Sequence, residues 1–174
     1  MGLLRKISLS LICALAICMG SLAHSQGIVV KQAELEKIDA GWLLNANFSI
    51  ALPAGLENAL KKGVTLHFVT EFQLTHGRWY WFDEKTVKVE RQIRLSHQPL
   101  INQYRITVGD FTFSAASLAE ALRVTGTVGG WSVIETAAIS PTKQYEAAVR
   151  LTLDLGKLPK PFQVDALNSK DWSL

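Results

Sequence analysis

Cysteine is all but missing from this chain: the 174 residues hold two, Cys13 and Cys18, and neither lies beyond position 18. A disulfide framework and a thiolate zinc site are therefore excluded downstream, where the protein must be held together by its own core. An excess of one charge is missing too. The 18 basic and 15 acidic residues give +3; without Arg5 and Lys6 the balance is 16 against 15, or +1. So neutral a surface lacks the electrostatic footprint of a nucleic-acid binder. Hydrophobic runs long enough to span a bilayer are also lacking, since the longest, Ile7 to Met19, covers about 13 residues where roughly 20 are needed.

Catalytic patterns are equally scarce. No Gly-x-Ser-x-Gly elbow or paired-histidine helix occurs, and Gly126 to Gly130 lacks the lysine and the strand-to-helix setting of a phosphate-cradling loop. His24 falls at the processing region, His67 on the outward phase of a strand, His76 in a turn and His97 in a loop, which is no ligand spacing for zinc. Asp83 and Glu84 are adjacent in a turn and diverge, a poor geometry for paired acid and base work. The expectation is therefore no enzyme, no cofactor and no metal.

Residues 1–25 read as a secretory signal peptide. Arg5 and Lys6 form the positive start, the run from Ile7 to Met19 is broken only by Ser8 and Ser10, and Ser21 with Ala23 supplies the small pair before a processing site. Ala23 with Ser25 is the alternative pair, and an uncleaved anchor holding the domain beside the membrane is the alternative fate. Ile12 and Ile17 precede the cysteines where lipid attachment would want a small residue. The expected location is the periplasm. The remaining 26–174, about 149 residues, can bury about two thirds of its unfolded surface as one domain.

What that domain has in abundance is period-two alternation. Trp42, Leu44, Ala46, Phe48 and Ile50 form one stripe, and Val64, Leu66, Phe68, Phe72 and Leu74 a second, interrupted by Thr70. Val87, Val89, Ile93 and Leu95 form a third, Leu100, Tyr104, Ile106 and Val108 a fourth, and Tyr145 through Leu155 the cleanest. Ile28–Leu35 and Trp131–Ala138 alternate less cleanly and read as edge strands. Two short helices interrupt the series. One is opened by Pro53 and closed by Gly63; the other starts at Ser117 with Glu120 three residues on. Turn signals at Asp39-Ala40-Gly41, His76-Gly77, Asp83-Glu84-Lys85, Gly109-Asp110, Gly129-Gly130 and Ser140-Pro141-Thr142 space seven or eight strands. The pattern predicts a mainly β fold, a two-layer antiparallel β-sandwich of immunoglobulin-like general architecture, with strand order open. From about 156 the alternation stops, and Leu158-Pro159-Lys160-Pro161-Phe162 reads as an extended tail.

Three features stand out as candidate interaction residues. In a strand over Arg78-Trp79-Tyr80-Trp81-Phe82, Trp79 and Trp81 face one way and Tyr80 and Phe82 the other. One pair is either covered by another element, such as the tail, or exposed as a patch for a peptide, a glycan or a partner domain. Arg91 occupies the inward phase of its stripe, where it must find a carboxylate, bind an anion or sit at a phase-shifting bulge. Grouped with Arg94, Arg105 and Arg150, it otherwise reads as one of several solvated arginines. Pro159, Pro161 and Phe162 of the tail are the third feature.

The chain resembles the proteobacterial domain-of-unknown-function family 4390, small exported proteins. Gly63-Val64-Thr65-Leu66, Arg78-Trp79-Tyr80-Trp81, Arg94-Leu95 and Gln103-Tyr104-Arg105 carry the likeness first. Ser117-Leu118 with Ala121-Leu122, Leu153-Asp154-Leu155, Leu158 to Gln163 and Asp171-Trp172 follow in the same order. The resemblance implies the periplasm and, as partner, the outer part of an envelope sensor kinase of the nitrogen-regulation type. It implies no activity. The leading expectation is a periplasmic binding and interaction module of unknown oligomeric state; the alternative is a carrier of a small apolar or lipid-like ligand between the sheets.

Overall fold

The structure, a computed structural model, describes residues 27–76, 84–140 and 142–163. The signal peptide expected over 1–25 lies outside these residues. Among these residues, and before the helical segment that starts at 160, eight strands and two helices follow one another as β1 (Gly27–Ile38), β2 (Gly41–Ala51), α1 (Ala54–Lys61), β3 (Leu66–His76), β4 (Glu84–Gln98), β5 (Gln103–Val108), β6 (Phe111–Ala115), α2 (Leu118–Thr125), β7 (Thr127–Glu135) and β8 (Glu146–Leu153). Single 3-10 turns at Thr136–Ala138 and Leu155–Lys157 follow the last two strands. The strands form two antiparallel sheets, one in the order β1-β2-β7 and one in the order β6-β5-β4-β3-β8. This is the expected two-layer antiparallel sandwich. Four consecutive strands make a meander, and β8 returns to lie beside β3.

The stripes build the core because each puts its apolar side chains on one face. Leu44, Ala46 and Phe48 of the smaller sheet meet Leu66, Phe68, Phe72, Ile93, Leu95 and Ile106 of the larger one, all buried. Both helices lie on crossings between the sheets, α1 after β2 and α2 before β7. Leu56, Ala59 and Leu60 are the buried face of α1. The amino end of α2 is capped reciprocally: the Glu120 amide donates to Ser117 Oγ at 3.2 Å and the Ala116 amide to Glu120 Oε2 at 3.1 Å. Among the described residues no helix is long and apolar enough to cross a membrane.

Several local expectations are corrected. Leu100 stands fully exposed in the turn that Asn102 completes with φ 49°, so its stripe starts only at Gln103. His97 lies in β4, not a loop, with its ring 4.7 Å from that of Tyr104. His76 ends β3 and Glu84-Lys85 opens β4, because the two strands pair out to His76 and Glu84, past the expected turns. Gly129 and Gly130 sit inside β7 rather than in a turn; the pairing skips them, with Ala46 opposite Val128 and Leu44 opposite Trp131. The tail is not extended: Leu155–Lys157 is a 3-10 turn, Leu158 is buried, and Pro159 O accepts from the Phe162 and Gln163 amides as a helical turn starts at 160. Lys157 Nζ reaches Gln92 Oε1 at 2.9 Å, which places this turn on the outer face of the larger sheet.

Candidate functional site

The aromatic segment Arg78, Trp79, Tyr80, Trp81 and Phe82 falls between β3 and β4 and outside the described residues. The remaining candidates separate into two places. Pro159 and Pro161 are exposed in the tail, and Phe162 is half-buried against the core. Arg91, also half-buried, lies in the body of the fold.

Arg91 keeps the inward phase of β4, directly opposite Thr70 of β3, with no bulge at that point of the pairing. It therefore projects toward the smaller sheet, where its guanidinium carbon lies 5.1 Å from the ring centroid of Trp131 on β7. Its Nε is buried without a hydrogen-bond partner, as is the Thr70 hydroxyl on the neighbouring strand. No carboxylate among the described residues pairs with it. Burial alone pushes its pKa down. Of the three roles available to it in the sequence, the internal carboxylate and the bulge are removed, and the indole face takes the charge instead. It is not a simply solvated arginine. Because desolvation opposes this placement, Arg91→Met, of similar length and apolar, is expected to raise the unfolding free energy by about 1 kcal/mol in urea titration. A loss of that size would show that stacking on Trp131 outweighs desolvation.

Arg150, read with Arg94 and Arg105 as solvated, holds a buried acid. Glu71 points to the outer face of the larger sheet yet is only 6% exposed. Its carboxylate takes Arg150 Nη2 at 3.0 Å from β8 and Lys88 Nζ at 3.2 Å from β4, and Gln73 donates to it along β3. Burial opposes ionisation here, but the hydrogen bonds from Arg150, Gln73 and Lys88 prevail and hold the carboxyl at about 2. On the same face His67 is pushed below its usual value by burial and by Lys157 and Arg94.

A second surface went unread in the sequence. β6 is the edge strand of the larger sheet, and Phe111 and Phe113 on it are 72% and 47% exposed. They pair with Val108 and Ile106 of β5, so they continue the row that forms the core two strands away. The smaller sheet has three strands among the described residues, and α2 packs against β5 and β6, leaving most of the Phe111 side chain and about half of Phe113 uncovered. The signal was present: Phe111, Phe113 and Ala115 alternate with Thr112 and Ser114 directly after Gly109-Asp110.

The sheets meet tightly along the core. At their β1 and β8 margins an open cleft of about 190 Å3 remains, lined by Ala33, Leu35, Leu44, Phe72, Ala147 and Val149 among others.

No curated protein and no solved structure matches the chain. The family model described as a domain of unknown function (DUF4390) matches residues 25–174. A match across nearly the whole length makes the chain a member of that family.

Proposed function

We propose that the protein is an exported, non-catalytic interaction module of the periplasm that receives an extended segment of another envelope protein on its β6 edge. The supporting observation is the pair Phe111 and Phe113, exposed on a strand whose outer backbone is unpaired among the described residues. An edge strand of this kind adds a partner strand through main-chain hydrogen bonds, and alternate side chains select the partner. Natural sheets usually guard such an edge with lysine or proline, and β6 reads Phe-Thr-Phe-Ser-Ala. The outer portion of an envelope sensor kinase, implied by the family resemblance, is the partner of first choice.

A photo-crosslinking residue at Thr112 in cells should capture one defined envelope protein, and Phe111→Lys with Phe113→Lys should abolish that crosslink while leaving the melting temperature unchanged. Equal capture by the double variant, or none by the parent, overturns the reading. The carrier alternative has the 190 Å3 cleft in its favour, but ligand sites ordinarily offer roughly 300 Å3 or more.

A further inference from the structure

A groove of about 460 Å3 runs between α2 and the β1–β2 hairpin, away from the cleft between the sheets. Its apolar lining is Phe48 and Ile50 from β2 with Ala119 and Leu122 from α2. Lys31 and Arg123 lie on its rim, and no acidic side chain lines it. Among the described residues neither cation has an ion-pair partner.

Both sides of this groove are built by specific backbone features. On β1 the pairing passes from Val30 opposite Phe48 to Gln32 opposite Asn47, so Lys31 is the extra residue of a β-bulge. Bulges re-aim a side chain that regular alternation would send elsewhere. Across the groove the Phe48 amide donates to Gly126 O at 2.8 Å, and a Cβ at Gly126 would sit 2.3 Å from Phe48 O. Only glycine lets α2 end this close to β2. Thr127 Oγ1 then ties the wall to Arg123 O at 2.8 Å.

From this arrangement we infer that the groove binds a free, single-chain anionic amphiphile. The acyl chain lies on Ile50, Ala119 and Leu122 over the buried edge of Phe48, and the anionic head sits between Lys31 and Arg123. Charge complementarity selects the head, since two unpaired cations face no acid. The concave shape selects one detached chain over the plane of a bilayer, which a recessed floor does not touch. This surface is separate from the β6 edge and does not depend on the interaction reading.

The test uses the full mature chain with dodecanoate below its micellar concentration, followed by amide chemical-shift mapping and calorimetric titration. Dodecanoate should shift the amides of Phe48, Leu122 and Thr127 and bind at least about tenfold more tightly than uncharged dodecyl maltoside. Lys31→Gln with Arg123→Gln, both exposed positions, should weaken dodecanoate by about tenfold at an unchanged melting temperature. Three outcomes overturn the inference. They are undiminished binding by the double variant, equal binding of the uncharged detergent, and co-sedimentation with phosphatidylglycerol vesicles without any binding of free dodecanoate.

Discussion

Gly41→Ala is expected to cost about 3–5 kcal/mol, read as a fall in the urea midpoint at constant slope. Gly41 opens β2 after the two-residue turn of the β1–β2 hairpin and also faces Glu135 of β7, so it is gripped from both sides. Its φ of 154° lies in a region that side chains rarely adopt, and an added Cβ would stand 2.0 Å from Ile134 O. That neighbour is backbone held in the ladder, so relief requires β7 to shift along with Ile134, which is buried. Gly109 provides the contrast. Its φ is 56°, a left-handed conformation that asparagine tolerates, and nothing lies within 4 Å of an added Cβ. Gly109→Asn should therefore cost less than about 1 kcal/mol. Similar losses at the two glycines would contradict the close β2–β7 approach.

The second large effect concerns Glu71. Stranding this carboxylate by Arg150→Ala with Lys88→Ala should destabilise the fold by about 3 kcal/mol, whereas Glu71→Gln should cost about 1 kcal/mol. The asymmetry follows from exposure: the side chains of Arg150 and Lys88 are 65% and 43% exposed and return to water when the acid is removed. The acid, at 8%, cannot. Glu71 also stands directly opposite Glu90, and Lys88 bridges both carboxylates, at 3.2 and 2.7 Å. Losing Lys88 therefore exposes a like-charge pair as well. The pH dependence has a definite sign. The folded carboxyl titrates at about 2 against an ordinary 4.5, so its contribution is complete above about pH 4.5 and disappears as pH falls toward 2. Acid titration of the parent should show a fall in stability across that window, and Glu71→Gln should flatten it. An unchanged acid limb in Glu71→Gln would refute the assignment.

The strands most plainly legible in the sequence are those in which phase never slips. β2, β3 and β8 keep one alternation through the stretches that build the core; the stripes of β2 and β3 reappear as largely buried rows, and that of β8 is buried at Leu151 and Leu153. β1 and β7 looked irregular for a physical reason. The bulge at Lys31 carries the inward row of β1 from Val30, opposite Phe48, to Ala33 and Leu35, opposite Ala46 and Leu44. In β7 shifts at Gly129-Gly130 and at Val133 do the same. A bulge is a tertiary accommodation, and no residue pattern within one strand declares it. β6 was missed because five residues after a turn signal make a weak stripe. Arg91 was legible as an anomaly, since an arginine in an apolar phase is visible in one strand, but its answer, Trp131, lies 40 residues on in the other sheet. Glu71 could not have been seen at all. It lies on a polar phase, and its burial comes from neighbours on two other strands.

The position of β8 beside β3 bears on how the chain acquires its shape. Glu71 and Arg150 are separated by 79 residues, and Asn45 reaches Gly130 across 85. Pairings so distant in the chain make folding slow compared with a locally wired bundle. β3 of the larger sheet has one flank bare until β8, the last described strand, has been synthesised. A nascent chain thus stays open along this flank while the 69 residues between His76 and Glu146 emerge, so the larger sheet closes late.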